Sequence, residues 1–138
     1  MLPLERRWLQ EDERVMTAEG IRQLIDAGLR EGRALKERRF GIAGEDGKLA
    51  AMTKLRTDAR TAQVEDVYTV PEARGRGFAR ALVAHAVRVA QRAGNDVVFI
   101  VADDNDWPKH LYARLGFRPV GLRWAFHRDL AGSSSAGL

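Results

Sequence analysis

At 138 residues the chain fits one compact domain and leaves no room for a second. Its balance of 45% hydrophobic and 30% charged residues is that of a globular protein with a real core, and the lack of cysteine excludes disulfides, thiolate metal sites and a cysteine nucleophile. A formal net charge of +4 suits nucleic acid or a small phosphorylated anion equally, but the arginines are interspersed with acids, so no nucleic-acid tail is indicated.

The opening MLPLERRWLQEDER lacks the continuous apolar segment of a secretory signal, and no stretch approaches the ~18 apolar residues that span a bilayer, so a cytoplasmic location without membrane association is expected. Leu2, Leu4, Trp8 and Leu9 among charges indicate a short amphipathic helix or a packed arm. From Thr17, a good N-cap, Ile21, Leu24, Ile25, Gly28 and Leu29 recur at helical spacing, which predicts a helix over about 18–31. RRFGIAG and KLAAMTKLR flank Glu45-Asp46-Gly47 as the arms of a hairpin. A polar turn at Thr57–Arg60 leads into TAQVEDVYTV, whose β-branched and aromatic residues favour a third strand, ended by Pro71.

Phe78, Leu82, Val83, Ala86, Val89, Ala90 and Ala93 share one helical face, and Gly94 is a natural stop. VVFIV at 97–101 is continuously apolar, as expected of a strand covered on both faces, and completes a parallel βαβ step. A short helix through Pro108–Leu115 stops at Gly116. Phe117–Val120 and Trp124–His127 are then expected as two closing strands, with a disordered tail over 131–138.

Gly75 and Gly77 sit between the strand VEDVYTV and the best-defined helix. Glycines let a backbone approach a ligand closely, and the first turn of a helix offers unpaired amides at a positive dipole end, so a phosphate or pyrophosphate is the fitting guest. Arg74 and Arg76 add positive charge. The turn lacks the Lys-Ser/Thr ending of a Walker loop and the third glycine of the dinucleotide fingerprint. A ligand-free glycine turn is the competing reading of these residues taken alone.

The run Arg74-Gly75-Arg76-Gly77-Phe78-Ala79 resembles the Arg/Gln-x-x-Gly-x-Gly/Ala signature of the GNAT-type N-acetyltransferase superfamily, and Asn105, Tyr112 and Gly116-Phe117 resemble its second signature. The likeness covers about residues 63–118, with some similarity to diamine acetyltransferases at VEDVYTV and FIVADDNDWPKHLYARLGF. It implies an α/β (α+β) fold of the GNAT type: a mixed, mostly antiparallel sheet with a central parallel βαβ step, splayed strands and helices on both faces. A single domain over 1–130 is implied. The family's first strand is not evident, which leaves a lost strand, an irregular one, or a start inside a longer parent sequence as alternatives.

The same resemblance implies acetyl-CoA as cosubstrate, no metal, and direct transfer to a small-molecule or peptide amine; a homodimer is a candidate assembly. Glu65 is the implied base, with Asp66 expected on the opposite strand face. The Val67 amide would stabilise the charge developing on the carbonyl oxygen. Thr69 and Asn105 would hold the pantetheine arm. Arg74, Gly75, Arg76, Gly77, Phe78, Ala79 and Arg80 would surround the pyrophosphate, and Tyr112 would protonate the departing thiolate. Asp103, Asp104, Asp106 and Trp107 are candidates for the acceptor entrance. His85, His110 and His127 lie too far apart for a metal site. The rival from another class is a non-catalytic acyl-CoA-binding module.

Overall fold

Alternating apolar residues in three successive runs build the antiparallel part of the sheet in the computed structural model, which describes residues 2–11, 17–126, 128 and 130. Helices α1 (Leu2–Glu11) and α2 (Ala18–Ala34) precede strands β1 (Lys36–Ala43), β2 (Leu49–Asp58) and β3 (Thr61–Thr69). A 3-10 turn at Pro71–Ala73 leads to α3 (Phe78–Arg92), β4 (Val97–Ile100) and α4 (Pro108–Arg114). The four-stranded sheet has the order β1-β2-β3-β4, antiparallel except for the β3–β4 pair.

Local signals set the element ends. The Thr17 hydroxyl accepts the Gly20 N–H at 3.0 Å and starts α2. At the end of α3, the Asn95 N–H reaches back to Ala90 O and the Gly94 N–H to Gln91 O, a Schellman closure that requires the positive φ of 86° at Gly94.

Strand alternation sends Leu55, Ala62 and Val64 against Val83, Ala86 and Ala90 of α3 and Leu111 and Tyr112 of α4, forming the larger core cluster. The opposite face puts Ala50, Met52 and Tyr68 under Leu4 and Trp8 of α1. Helices therefore cover both faces, as the GNAT resemblance implies. The α2 stripe is helical as expected, but only Ile21 of it is buried and Leu24 is exposed.

Two expectations are corrected at the far edge. No regular strand forms over 117–126, and Val120, Leu122, Trp124 and Phe126 are exposed; His127 lies outside the described residues. Among the described residues only one face of β4 is covered: Val98 and Ile100 pack on the core, while Val97, Phe99 and Val101 are exposed. The βαβ step thus lies at the edge of the described sheet. A continuous apolar run fixes strand character without fixing how many layers cover it.

Candidate active site

The β3–β4 pairing runs only from Thr61↔Val97 to Val64↔Ile100. Beyond that point β4 has ended, so Glu65–Thr69 continue with no partner on that side and open a wedge. On the last residue of β3 the Thr69 hydroxyl oxygen is buried and has no hydrogen-bond partner among the described residues, an orphan polar group at the open end of the wedge. Two surface hollows, of about 430 Å³ beside Leu35, Thr57 and Asn95 and about 460 Å³ beside Phe40, Leu82 and His85, lie elsewhere. The candidate site is therefore an open seam suited to an elongated ligand.

At the mouth of the wedge the chain turns into α3 through Gly75 and Gly77, with φ of 78° and 79°. These left-handed values favour glycine. The first backbone bond into α3 is from Ala81 N–H to Gly77 O, and among the described residues no protein acceptor takes the amides of Gly75 through Arg80. A Cβ placed on either glycine would meet only open space. The cradle is thus held open by backbone conformation and is shaped for an anion. Gly77→Ala is expected to destabilise the fold by about 1–2 kcal/mol through backbone strain alone, read from denaturant unfolding.

Arg76 and Arg80 are exposed beside the cradle. Arg74 is engaged otherwise: its Nε donates to Thr69 O at 3.0 Å, its guanidinium pairs with Glu11 at 2.8 Å and lies over the Tyr68 ring at 5.8 Å. Arg7 binds Glu72 through both terminal nitrogens, at 2.8 and 2.7 Å, and so ties α1 to the 3-10 turn before the cradle.

Glu65 and Asp66 depart from strand alternation. Met52 pairs with Tyr68 and Lys54 with Glu65, so Asp66 and Val67 share the place opposite Thr53 and form a β-bulge. Asp66 takes a φ of 53° there. Its carboxylate meets Lys54 at 2.8 Å, while Glu65 meets Arg56 at 2.8 Å. Lys54 and Arg56 share one face of β2, so the two acids lie on the same side of the sheet, a correction to the expectation of opposite faces. The extra residue of the bulge resets the period of two. Val67 instead packs on the larger core cluster.

Burial pushes the Glu65 carboxyl above its ordinary range; the Arg56 cation opposes this, and the neighbouring Asp66 and Glu31 carboxylates add to it. Arg56 also binds Glu37 at 2.8 Å and Glu31 at 3.0 Å. Burial alone would lower the Lys54 ammonium, but its pairs with Asp66 and Glu5 outweigh that cost and leave it raised. Motif reading does not single out Lys54, Arg56 or Glu5. Their sequence signal is two cations at alternate positions of one strand, facing the acid pair of the next.

Tyr112 is 8% exposed, its ring set edge-on to Phe117 at 6.2 Å. Its hydroxyl has no hydrogen-bond partner among the described residues, and burial first, then the charge of Asp106, raises its pKa. Asn105 is exposed in the loop before α4, its N–H bonded to the Asp103 carboxylate at 2.9 Å. Trp107 is exposed, Asp106 accepts its N–H at 2.8 Å, and Asp104 pairs with Lys109. Among the described residues no acidic or histidine cluster could hold a metal, and no helix is long and apolar enough to cross a membrane.

A mixed sheet whose one parallel pair parts beside a glycine-held helix start defines an α/β domain with an anion cradle at the mouth of a strand wedge. The chain belongs to the acetyltransferase (GNAT) family, whose model matches residues 4–117. It is 30% identical over 111 residues to streptothricin acetyltransferase of Streptomyces lavendulae, a match covering 78% of this chain and 59% of that relative. The same fold occurs in a Pyrococcus furiosus protein at TM-score 0.78, with 16% identity and 92% and 91% of the two chains covered. Glucosamine-6-phosphate N-acetyltransferase from Arabidopsis thaliana superposes at TM-score 0.67, with 17% identity and 94% and 89% coverage.

Proposed function

We propose that the protein is an acetyl-CoA-dependent N-acetyltransferase that passes the acetyl group directly to a primary amine bound beside it. The observation that carries this reading is the run of free amides from Gly75 through Arg80 at the mouth of the β3–β4 wedge. Acetyl-CoA would supply an activated thioester. The cradle would hold its pyrophosphate, and the wedge edge of β3, with the orphan Thr69 hydroxyl, would receive the pantetheine arm. The Asn105 amide is a second donor and acceptor for that arm.

The chemistry asks three things of the chain. An amine acceptor with a pKa of about 10.4 must lose a proton before it can attack. Glu65 is the first residue of β3 beyond its last pairing with β4, and its upward shift brings it closer to the neutral range where a base works best. The Val67 amide is assigned to the oxygen on which charge develops. Tyr112 is assigned to the leaving sulfur, and its raised pKa keeps the phenol protonated at neutral pH, as a proton donor requires. Holding both reactants in one wedge supplies much of the rate, since effective molarities reach about 10⁵–10⁸ M in well-aligned pairs.

Calorimetric titration with acetyl-CoA followed by thiol release over a panel of amines tests the reading. Binding with turnover of at least one amine supports it, and failure to bind at millimolar acetyl-CoA overturns it. One observation favours the rival binding-module reading: the Arg56 guanidinium already occupies Glu65. Tight binding with no turnover of any amine would select that rival. Tyr112→Phe is expected to lower kcat about 10²-fold and leave the acetyl-CoA Kd unchanged, because the packed ring remains; thiol release and calorimetry measure the two.

A further inference from the structure

Lys54 is a buried charged residue to which the proposed chemistry gives no part. It is 5% exposed in the middle of β2, and its ammonium lies 2.8 Å from Asp66 of β3 and 2.8 Å from Glu5 of α1. Glu5 is itself 5% exposed and also lies 3.3 Å from Arg39 of β1. A lysine is rarely buried so fully without a specific partner. Here its partner is the one residue of β3 in left-handed backbone.

That residue needs holding. An Asp at φ 53° sits in a region that L side chains avoid, and it persists only where its surroundings over-determine it. The surroundings are few, since β3 has no β4 partner beyond Val64. On the β2 side two side chains grip the bulge from consecutive positions. The fully buried Thr53 hydroxyl donates to Glu65 O at 2.9 Å, and the Lys54 ammonium takes the Asp66 carboxylate. The two grips fix the Glu65–Asp66 peptide, with Glu65 meeting Arg56 before it and Val67 packing on the core after it.

We infer that Lys54 is a positioning residue: clamped between Glu5 and Asp66, it holds the β3 bulge in the conformation that sets the Glu65 carboxylate for the acceptor amine and the Val67 peptide for the acetyl carbonyl. The inference rests on the acetyl-transfer reading above. The clamp acts on the direction of groups in the wedge, whereas the Gly75–Gly77 cradle is set by its own left-handed backbone, so loss of the clamp is expected to lower rate more than cosubstrate binding.

Lys54→Met tests this on the full chain by thiol release, with acetyl-CoA Kd measured by calorimetry. The expected result is a fall in kcat of about 10²-fold, the scale of a small misplacement of reacting groups, with Kd within twofold of wild type. Lys54→Arg, which restores a cation to both carboxylates, is expected to recover at least tenfold of that loss. Should Lys54→Met not fold, Asp66→Asn keeps the side-chain shape and its tolerance of left-handed backbone while removing the charge, and the same split is expected. An unchanged kcat, or equal losses in kcat and acetyl-CoA affinity, would overturn the assignment and leave Lys54 a general support of the fold. Absence of turnover in the wild type would overturn the assignment together with the reading beneath it, and is recognised because it precedes any substitution.

Discussion

Glu65→Gln is expected to lower kcat by about 10²–10⁴-fold, the range that a positioned general base contributes. The neutral amide preserves shape but accepts no proton. Acetyl-CoA binding should be nearly unchanged, because Glu65 sits mid-strand and the cradle lies past the end of β3 at Thr69. The pH dependence carries a sign. A base must be deprotonated, so the rate rises with pH as the Glu65 carboxyl ionises. Burial raises that pKa, so the acid limb should lie above the ordinary carboxylate range and vanish in the variant. Thiol release between about pH 5 and 8 resolves the limb. If the variant turned over as fast as wild type, proton removal would belong to another group or to water.

Leu55→Ala is expected to be the most damaging of the single core truncations, costing about 2–5 kcal/mol in unfolding free energy. Leu55 is 1% exposed at the centre of the cluster that joins β2 to α3 and α4. Tight packing on every side leaves little freedom to collapse into the void. A loss of that size is a large share of the ~5–15 kcal/mol by which domains are stable. Urea unfolding followed by circular dichroism measures it. The slope with denaturant should stay unchanged if the native state merely weakens.

The parts of the fold legible in the sequence are those written in nearby residues. The α3 stripe, the Glu45-Asp46-Gly47 turn and the Gly75–Gly77 turn each depend on spacing or on backbone freedom within a few positions, and each forms where expected. The run of free amides at the start of α3 is readable for the same reason. The bulge is not, since Asp66 is neither glycine nor proline and its conformation follows from how β3 registers with β2. Arg56 and Lys54 escaped for a related reason: their meaning lies in carboxylates from α1, α2, β1 and β3. The exposure of Phe99 and Trp124 depends on which elements arrive beyond β4, and the apolar pattern of each strand is silent on that.

The single parallel pairing also governs the order in which the chain can assemble. Adjacent antiparallel arms joined by the short turns at Gly44–Lys48 and Ala59–Arg60 close at small entropic cost, whereas Thr61 meets Val97 only after α3 has brought the chain back. Local contacts form early and distant ones late. The seam at which acetyl transfer is proposed is therefore bounded by the strand whose pairing closes the longest loop in the described sheet. Amides of β4 should exchange with solvent sooner than those of β2, which has a partner on each side.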